Sequence, residues 1–118
     1  MRPIIKWGLA LGLGTSSMLA LATQTHHVTN IEKILLDGER YGGCMVFVNP
    51  ALPSNLTCRL DFVSLDCNGE LVNTKTHAKA MLDMAQLAFL VEKSVRLRVS
   101  DDQTINGFCT ADYIRIDK

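Results

Sequence analysis

The stretch that decides the fold covers residues 76–99 and reads THAKAMLDMAQLAFLVEKSVRLRV. Thr74 or Thr76 can cap a helix here, because a hydroxyl accepts a free amide proton of the first turn. From Val95 to Val99 the hydrophobic period changes to two, with arginines at alternate positions, as in a half-buried strand. The stretch therefore predicts a helix that leads directly into a strand. The helical spacing is carried by Ala78, Met81, Leu82, Ala85, Ala88 and Phe89.

The predicted helix carries more apolar surface than one core needs. At 100° per residue, Lys79, Asp83, Gln86 and Lys93 occupy an arc of only about 80°. Met84, Leu87 and Val91 lie outside the stripe that would face a core. Either a loop of the same chain or another subunit must cover these three residues. In the second case they form the interface of a homo-oligomer.

Residues 1–22 have the features of a secretory signal peptide. Arg2 and Lys6 precede an uncharged apolar run, and Ala20-Leu21-Ala22 supplies the small-x-small cleavage pattern. The run has about 16 residues, fewer than the roughly 20 that span a membrane. We therefore expect residues 23–118 to form one exported domain, periplasmic or extracellular, without stable membrane insertion after cleavage.

The charge balance limits the classes of partner. The sequence has 12 basic and 12 acidic residues, and without Arg2 and Lys6 the net charge is about −2. This balance argues against a protein that binds nucleic acid or an anionic membrane by bulk charge.

All four cysteines follow the predicted leader, which favours two disulfides in an oxidising compartment. Their spacing matches no ordinary zinc site. Of the three pairings, Cys58 with Cys67 is disfavoured, because the segment between them reads as a strand whose ends lie about 25 Å apart. Of the remaining two pairings we prefer Cys44–Cys58 with Cys67–Cys109.

Further strands are predicted on both sides of the helix. A polar lead-in covers residues 23–30, and residues 49–57 and 101–107 are predicted to be loops. With one helix, the element order is β-β-β-α-β-β, the order of the OB-fold, a small five-stranded barrel. A two-layer α+β sandwich is the alternative. The five strands are predicted at residues 28–37, 44–48, 59–66, 95–99 and 113–116.

Short segments of the chain resemble known proteins. They are Phe62-Val63-Ser64-Leu65-Asp66-Cys67-Asn68-Gly69, Ala85-Gln86-Leu87-Ala88, Val95-Arg96-Leu97-Arg98-Val99 and Asn106-Gly107-Phe108-Cys109. Together they are similar to a family of small secreted proteins of Gram-negative bacteria. The element order also resembles the OB-fold binding subunits of AB5 toxins, such as that of subtilase cytotoxin. The resemblance implies a secreted OB-like module that can form oligomers, and it carries over no ligand-contact motif.

The sequence does not favour an enzyme. No G-x-S-x-G motif is present, and the three histidines lie at positions 26, 27 and 77, apart from any nucleophile motif. Asp101 and Asp102 do not continue into a calcium-binding pattern. We expect no catalytic residue, no metal and no cofactor.

The outward faces of the last two predicted strands are the candidate ligand surface. Arginine binds carboxylates with a planar fork, and an aromatic ring stacks on a sugar. Alternatively, the surface is a solvated outer face with cross-strand ion pairs. The candidate residues are Arg96, Arg98, Tyr113 and Arg115, to which the third strand adds Arg59 and Asp61.

Three function classes remain. The first is a secreted, non-catalytic binding module for a glycan or another cell-surface ligand. The second is a protein that interacts with another protein or assembles with itself, and the third is a small secreted enzyme.

Overall fold

The protein is a closed five-stranded barrel with one α-helix. The computed structural model describes residues 23–118, so the predicted leader lies outside the described residues. The strands follow one another around the barrel in the order β1-β2-β3-β5-β4. The mainly β architecture with one helix is confirmed, and the barrel replaces the alternative sandwich. The elements are β1 Gln24–Leu36, β2 Cys44–Asn49, β3 Arg59–Ser64, α1 Lys75–Val91, β4 Val95–Ile105 and β5 Phe108–Arg115.

The strand pairing is that of an OB-fold. β3 and β5 are parallel, and the other four pairs of neighbours are antiparallel. β1 closes the barrel because it pairs with β4 through its first half and with β2 through its second half. An irregularity in the β1–β2 pairing between Ile31 and Lys33 accompanies this change of partner.

The helix begins at one of the two predicted caps. The Thr74 hydroxyl accepts a hydrogen bond from the His77 amide at 3.0 Å. At the other end Glu92 adopts a left-handed conformation, and the Lys93 amide donates to the Ala88 carbonyl. The buried face of α1 packs against the barrel through Ala78, Met81, Ala85 and Ala88. Among residues 23–118, no helix is long and apolar enough to cross a membrane.

The core fills the barrel and extends into the loop between β2 and β3. Leu52 and Leu56 of this loop are buried in the same cluster as the strand residues. The inward strand residues include Val46, Val48, Val63, Leu97, Val99 and Ala111.

The polar segment at residues 24–30 is the first half of β1, so the prediction of a lead-in was wrong. Its more buried face carries His27 and Thr29 instead of aliphatic residues. The Thr29 hydroxyl donates to the Pro50 carbonyl at 2.8 Å, and His27 Nε2 lies 2.9 Å from the same oxygen. Hydrogen bonding, rather than apolar burial, therefore holds this side of the strand.

The predicted loop at residues 101–107 is a β-hairpin instead. β4 continues to Ile105 and β5 starts at Phe108, with Ile105 and Phe108 paired. The turn consists of Asn106 and Gly107, whose φ angles are 52° and 82°. Asn-Gly suits such a turn because both residues tolerate a positive φ, and this signal was present in the sequence.

The disulfides are Cys44–Cys67 and Cys58–Cys109, so the preferred pairing was wrong. β2 and β3 are antiparallel, and their Met45–Ser64 pair brings Cys44 and Cys67 to a Cα separation of 5.5 Å. β3 and β5 start side by side, with Arg59 opposite Phe108, which brings Cys58 and Cys109 to 5.4 Å. The exclusion of Cys58–Cys67 is confirmed. Because the sequence does not show that β5 runs parallel to β3, it did not reveal which ends meet.

A buried carboxylate shapes the segment between β3 and α1. Asp66 accepts hydrogen bonds from the amides of residues 70–73, at 2.8 to 3.1 Å. Burial alone would raise the pKa of Asp66, but the four amide donors outweigh it and the pKa is lowered. The charged carboxylate thus fixes the chain that leads into the helix.

Candidate ligand-binding surfaces

The predicted ligand residues fall on two separate parts of the barrel wall. Arg96, Arg98, Tyr113 and Arg115 lie together on β4 and β5, and with His26 of β1 they form what we call the arginine face. Arg59 lies opposite Phe108, at the other end of β5. Asp61 lies on β3 with Arg59, and its carboxylate forms no ion pair with any residue from 23 to 118. The structure therefore does not add Arg59 and Asp61 to the arginine face.

Arg98 is engaged by its own chain. Its Nε and Nη2 atoms donate to the two oxygens of Asp112, at 2.8 and 3.1 Å. This fork raises the pKa of Arg98 through the hydrogen bond and the charge of Asp112. The guanidinium also lies 5.3 Å from the centre of the Tyr113 ring, and His26 meets that ring edge-on at 5.5 Å. A ligand carboxylate would have to displace Asp112.

The other two arginines of this face differ from each other. Arg115 Nε lies 3.0 Å from an Asp117 oxygen, and its Nη1 lies 3.5 Å from the Tyr113 hydroxyl. Arg96 is paired in register with Arg115, and its Nε is buried with no hydrogen-bond partner in the described chain. Two of the three arginines are therefore already neutralised by a carboxylate.

A second surface, which the sequence reasoning missed, is a row of aromatic rings on the β2–β3 side. We call it the aromatic strip, and it consists of Tyr41, Phe47, Phe62 and Phe108. The ring centres of Phe47 and Phe62 are 5.0 Å apart, those of Phe62 and Phe108 are 6.0 Å apart, and those of Phe108 and Tyr41 are 5.6 Å apart. All three contacts are edge-to-face, a favourable arrangement of ring quadrupoles. Phe108 is only 5% exposed, while the other three rings are half-buried.

Two cations flank the aromatic strip. Lys33 Nζ lies 5.2 Å from the centre of the Phe47 ring, and the Arg59 guanidinium lies 4.8 Å from that of Phe108. Within residues 23–118, neither cation has a carboxylate oxygen within 4.0 Å. Both side chains are exposed, so their charges remain available to an anionic ligand.

The loop between β1 and β2 brings Tyr41 onto the strip in a strained conformation. Tyr41 has a φ of 58°, which is unfavourable for a residue with a bulky side chain. The Ser64 hydroxyl donates to the Tyr41 carbonyl at 2.7 Å and holds this conformation. A Cβ at Gly42 would lie 2.7 Å from Ser64 Oγ and 2.8 Å from Ile105 Cδ1, so the loop approaches the barrel closely only because glycine is there. Backbone strain of this kind is common at binding sites.

The apolar helix flank is exposed in the structure. Met84 is 37% exposed, Leu87 56% and Val91 56%, and the neighbouring Leu90 reaches 76%. The loop at residues 49–57, which was one predicted cover, instead places Leu52 and Leu56 in the core. Nothing from residues 23–118 covers this flank.

The described residues offer no metal site, and comparison with known proteins identifies no further site. Residues 23–118 contain no cluster of three or more His, Cys, Asp or Glu side chains arranged to hold a metal ion. Comparisons of the sequence with protein-family models and curated proteins, and of the chain with solved structures, found no match.

Proposed function

We propose that this domain is an exported, non-catalytic binding module that recognises an anionic oligosaccharide on the aromatic strip. The observation that carries the proposal is the row of four rings, three of them half-buried, flanked by two cations without carboxylate partners. The two disulfides are compatible with export into an oxidising compartment.

The chemistry of the strip suits a sugar chain with acidic groups. The C–H faces of sugars pack against aromatic rings, while their hydroxyls remain in water. Lys33 and Arg59 lie near Phe47 and Phe108, toward opposite ends of the ring row, and each can bind a carboxylate or sulfate. The β2–β3 surface with the loops beside it is also where OB-folds bind oligosaccharides and oligonucleotides. The net charge of about −2 argues against a nucleic acid, which is bound largely through positive charge.

The proposal is tested on an array of neutral, sialylated, sulfated and uronic-acid oligosaccharides with the oxidised domain. We expect binding to one or more acidic classes. Phe47→Leu and Phe62→Leu keep an apolar side chain but remove the flat ring, and each should weaken binding tenfold or more. Arg59→Gln should reduce the preference for acidic over neutral sugars.

Matched substitutions on the arginine face provide the control. Tyr113→Leu and Arg96→Gln should leave glycan binding unchanged. The proposal fails if the native domain binds no acidic oligosaccharide. It also fails if Tyr113→Leu or Arg96→Gln abolishes binding while the strip variants bind normally, since that result returns the site to the arginine face.

The exposed helix flank supports a second proposal, that the domain forms homo-oligomers through α1. The motivating observation is the exposure of Met84, Leu87 and Val91 on one side of the helix. Replacing Leu87 and Val91 with Glu should dissociate the assembly without lowering the melting temperature of the monomer, because both side chains are exposed within one chain. Gln86→Glu adds one such negative charge on the polar side of the helix and should leave the assembly intact. Light scattering decides, and a monomeric native protein would refute this proposal.

A further inference from the structure

Asp101 of β4 occupies a junction at the seam where the barrel closes. One oxygen, Oδ1, accepts a hydrogen bond from the Thr23 backbone nitrogen at 2.7 Å. The other, Oδ2, accepts from both the amide and the hydroxyl of Thr57 at 3.0 Å. The Asp101 amide donates back to the Thr23 carbonyl at 3.1 Å. The side chain thus joins the start of the described chain to the loop before β3.

The charge of Asp101 has no cationic partner in the described chain. No Lys, Arg or His nitrogen from residues 23–118 lies within 4.0 Å of its carboxylate. The amides of Thr23 and Thr57 nevertheless lower the pKa of Asp101, so the group is ionised at neutral pH. The site therefore has the geometry and the charge to receive a cation at the position of the Thr23 nitrogen.

The predicted cleavage would place a new cation at that same nitrogen. The Ala20-Leu21-Ala22 pattern predicts cleavage between Ala22 and Thr23. Hydrolysis of this peptide bond by a signal peptidase consumes one water, leaves a carboxylate on Ala22 and releases Thr23 with a free amino group. That group takes up a proton at neutral pH, since α-amino groups have pKa values of about 7.7 to 8.0.

We propose that Asp101 is the binding site for the α-ammonium of the processed chain, so that cleavage at Ala22–Thr23 replaces the neutral amide donor by a charged one and forms an ion pair that fastens the barrel seam. Gln24 is paired with Ser100 in the β1–β4 register, so Thr23 lies beside Asp101 at the end of that ladder. Cleavage one residue earlier or later would move the ammonium by about 3.8 Å along the chain, away from this contact.

The test measures the α-ammonium itself in the exported protein. N-terminal sequencing first identifies the mature first residue, which we expect to be Thr23. NMR of protein labelled with ¹⁵N-threonine then follows the α-amino group through a pH titration. Its pKa should lie above the ordinary range in the native protein and return to that range in Asp101→Asn. Asp102→Asn, at the neighbouring exposed acid, should leave it unchanged.

Stability should follow the same titration. A pKa that is raised in the folded state gives stability that is fully present below about pH 7.7 and is lost as the pH rises through the folded value. A chain that retains Ala22 ahead of Thr23 keeps Asp101 and Thr57 but displaces the ammonium. It should therefore melt at a lower temperature than the processed chain at pH 6.5 and at nearly the same temperature at pH 10.

Two further variants separate the outcomes. If Asp101→Asn does not fold, the chain that retains Ala22 still provides the comparison. Thr57→Val removes one hydrogen bond to Asp101 and should leave the raised pKa of the α-ammonium in place. The proposal is overturned by a mature chain that starts at another residue. It is also overturned by an α-ammonium that titrates in its ordinary range in the native protein, or by equal melting temperatures of the two chains at pH 6.5.

Discussion

The aromatic strip and the arginine face lie on the same barrel wall but differ in what their cations already bind. On the arginine face, Arg98 and Arg115 each have a carboxylate partner within 3.0 Å. On the strip, Lys33 and Arg59 lie near aromatic rings and have no carboxylate within 4.0 Å among residues 23–118. The comparison shows that an arginine that faces outward on a strand is not necessarily free to bind a ligand, because a carboxylate of the same chain can already neutralise it. Availability depends on neighbours such as Asp112, which the chain brings in at a strand irregularity.

Removal of the Cys58–Cys109 disulfide should lower the free energy of unfolding most, and its effect on glycan binding should distinguish the aromatic strip from the arginine face. Cys58 and Cys109 are next in sequence to Arg59 and to Phe108 of the strip, and they close a separation of 51 residues. Replacing both with Ala should lower the free energy of unfolding by about 4 kcal/mol on chain-entropy grounds and should weaken glycan binding. Urea unfolding and the glycan array measure the two effects.

The Cys44–Cys67 disulfide is the matched control. It closes 23 residues, so its removal should cost about 3 kcal/mol and should weaken binding less than removal of Cys58–Cys109. Equal loss of binding in the two double variants would contradict the link between Cys58–Cys109 and the strip.

Gly42→Ala should have the next largest effect, because it pushes the Tyr41 loop away from the strip. Gly42 has a φ of 75°, and an added Cβ would collide with Ser64 and Ile105. We expect a loss of about 1–3 kcal/mol in unfolding free energy, measured by thermal unfolding. Gly38→Ala, where nothing lies within 4 Å of the added Cβ, should change stability little. Similar losses at both glycines would show that the loop does not depend on this close approach.

The smallest expected effect on stability is that of the ion pair between Arg98 and Asp112 on the arginine face. Arg98 and Asp112 are both partly exposed, so their coupling should be weak and should decrease with added salt. A double-mutant cycle with Arg98→Gln and Asp112→Asn measures it. A strong coupling that salt does not change would mean that this pair is a structural element of the barrel.

The sequence predicted those parts of the fold in which hydrophobic periodicity and burial coincide. The helix and the strand at residues 95–99 follow such patterns. The first half of β1 does not, because His27 and Thr29 use the Pro50 carbonyl in place of apolar packing. The Asn106-Gly107 turn could have been found from its residue types.

The candidate site was less predictable than the fold. Phe47 and Phe62 are cross-strand partners, but β2 is buried on both faces, as Met45 and Val46 show. The sequence of β2 therefore shows no alternation of apolar and polar residues that would mark Phe47 as outward-facing. Joining these rings to Tyr41 and Phe108 requires the barrel register and the strained loop, and neither is encoded in a local pattern.

The closed ring of strands limits how a partner can bind this domain. Each of the five strands has a hydrogen-bonded neighbour on both sides in the order β1-β2-β3-β5-β4. An open sheet exposes edge amides and carbonyls to which a foreign peptide can add as a further strand, and it risks aggregation by the same route. This barrel has no such edge strand within residues 23–118. Over the segments that are paired on both sides, recognition is left to side chains on the barrel wall, the loops and the helix, where side-chain chemistry rather than backbone pairing sets the specificity.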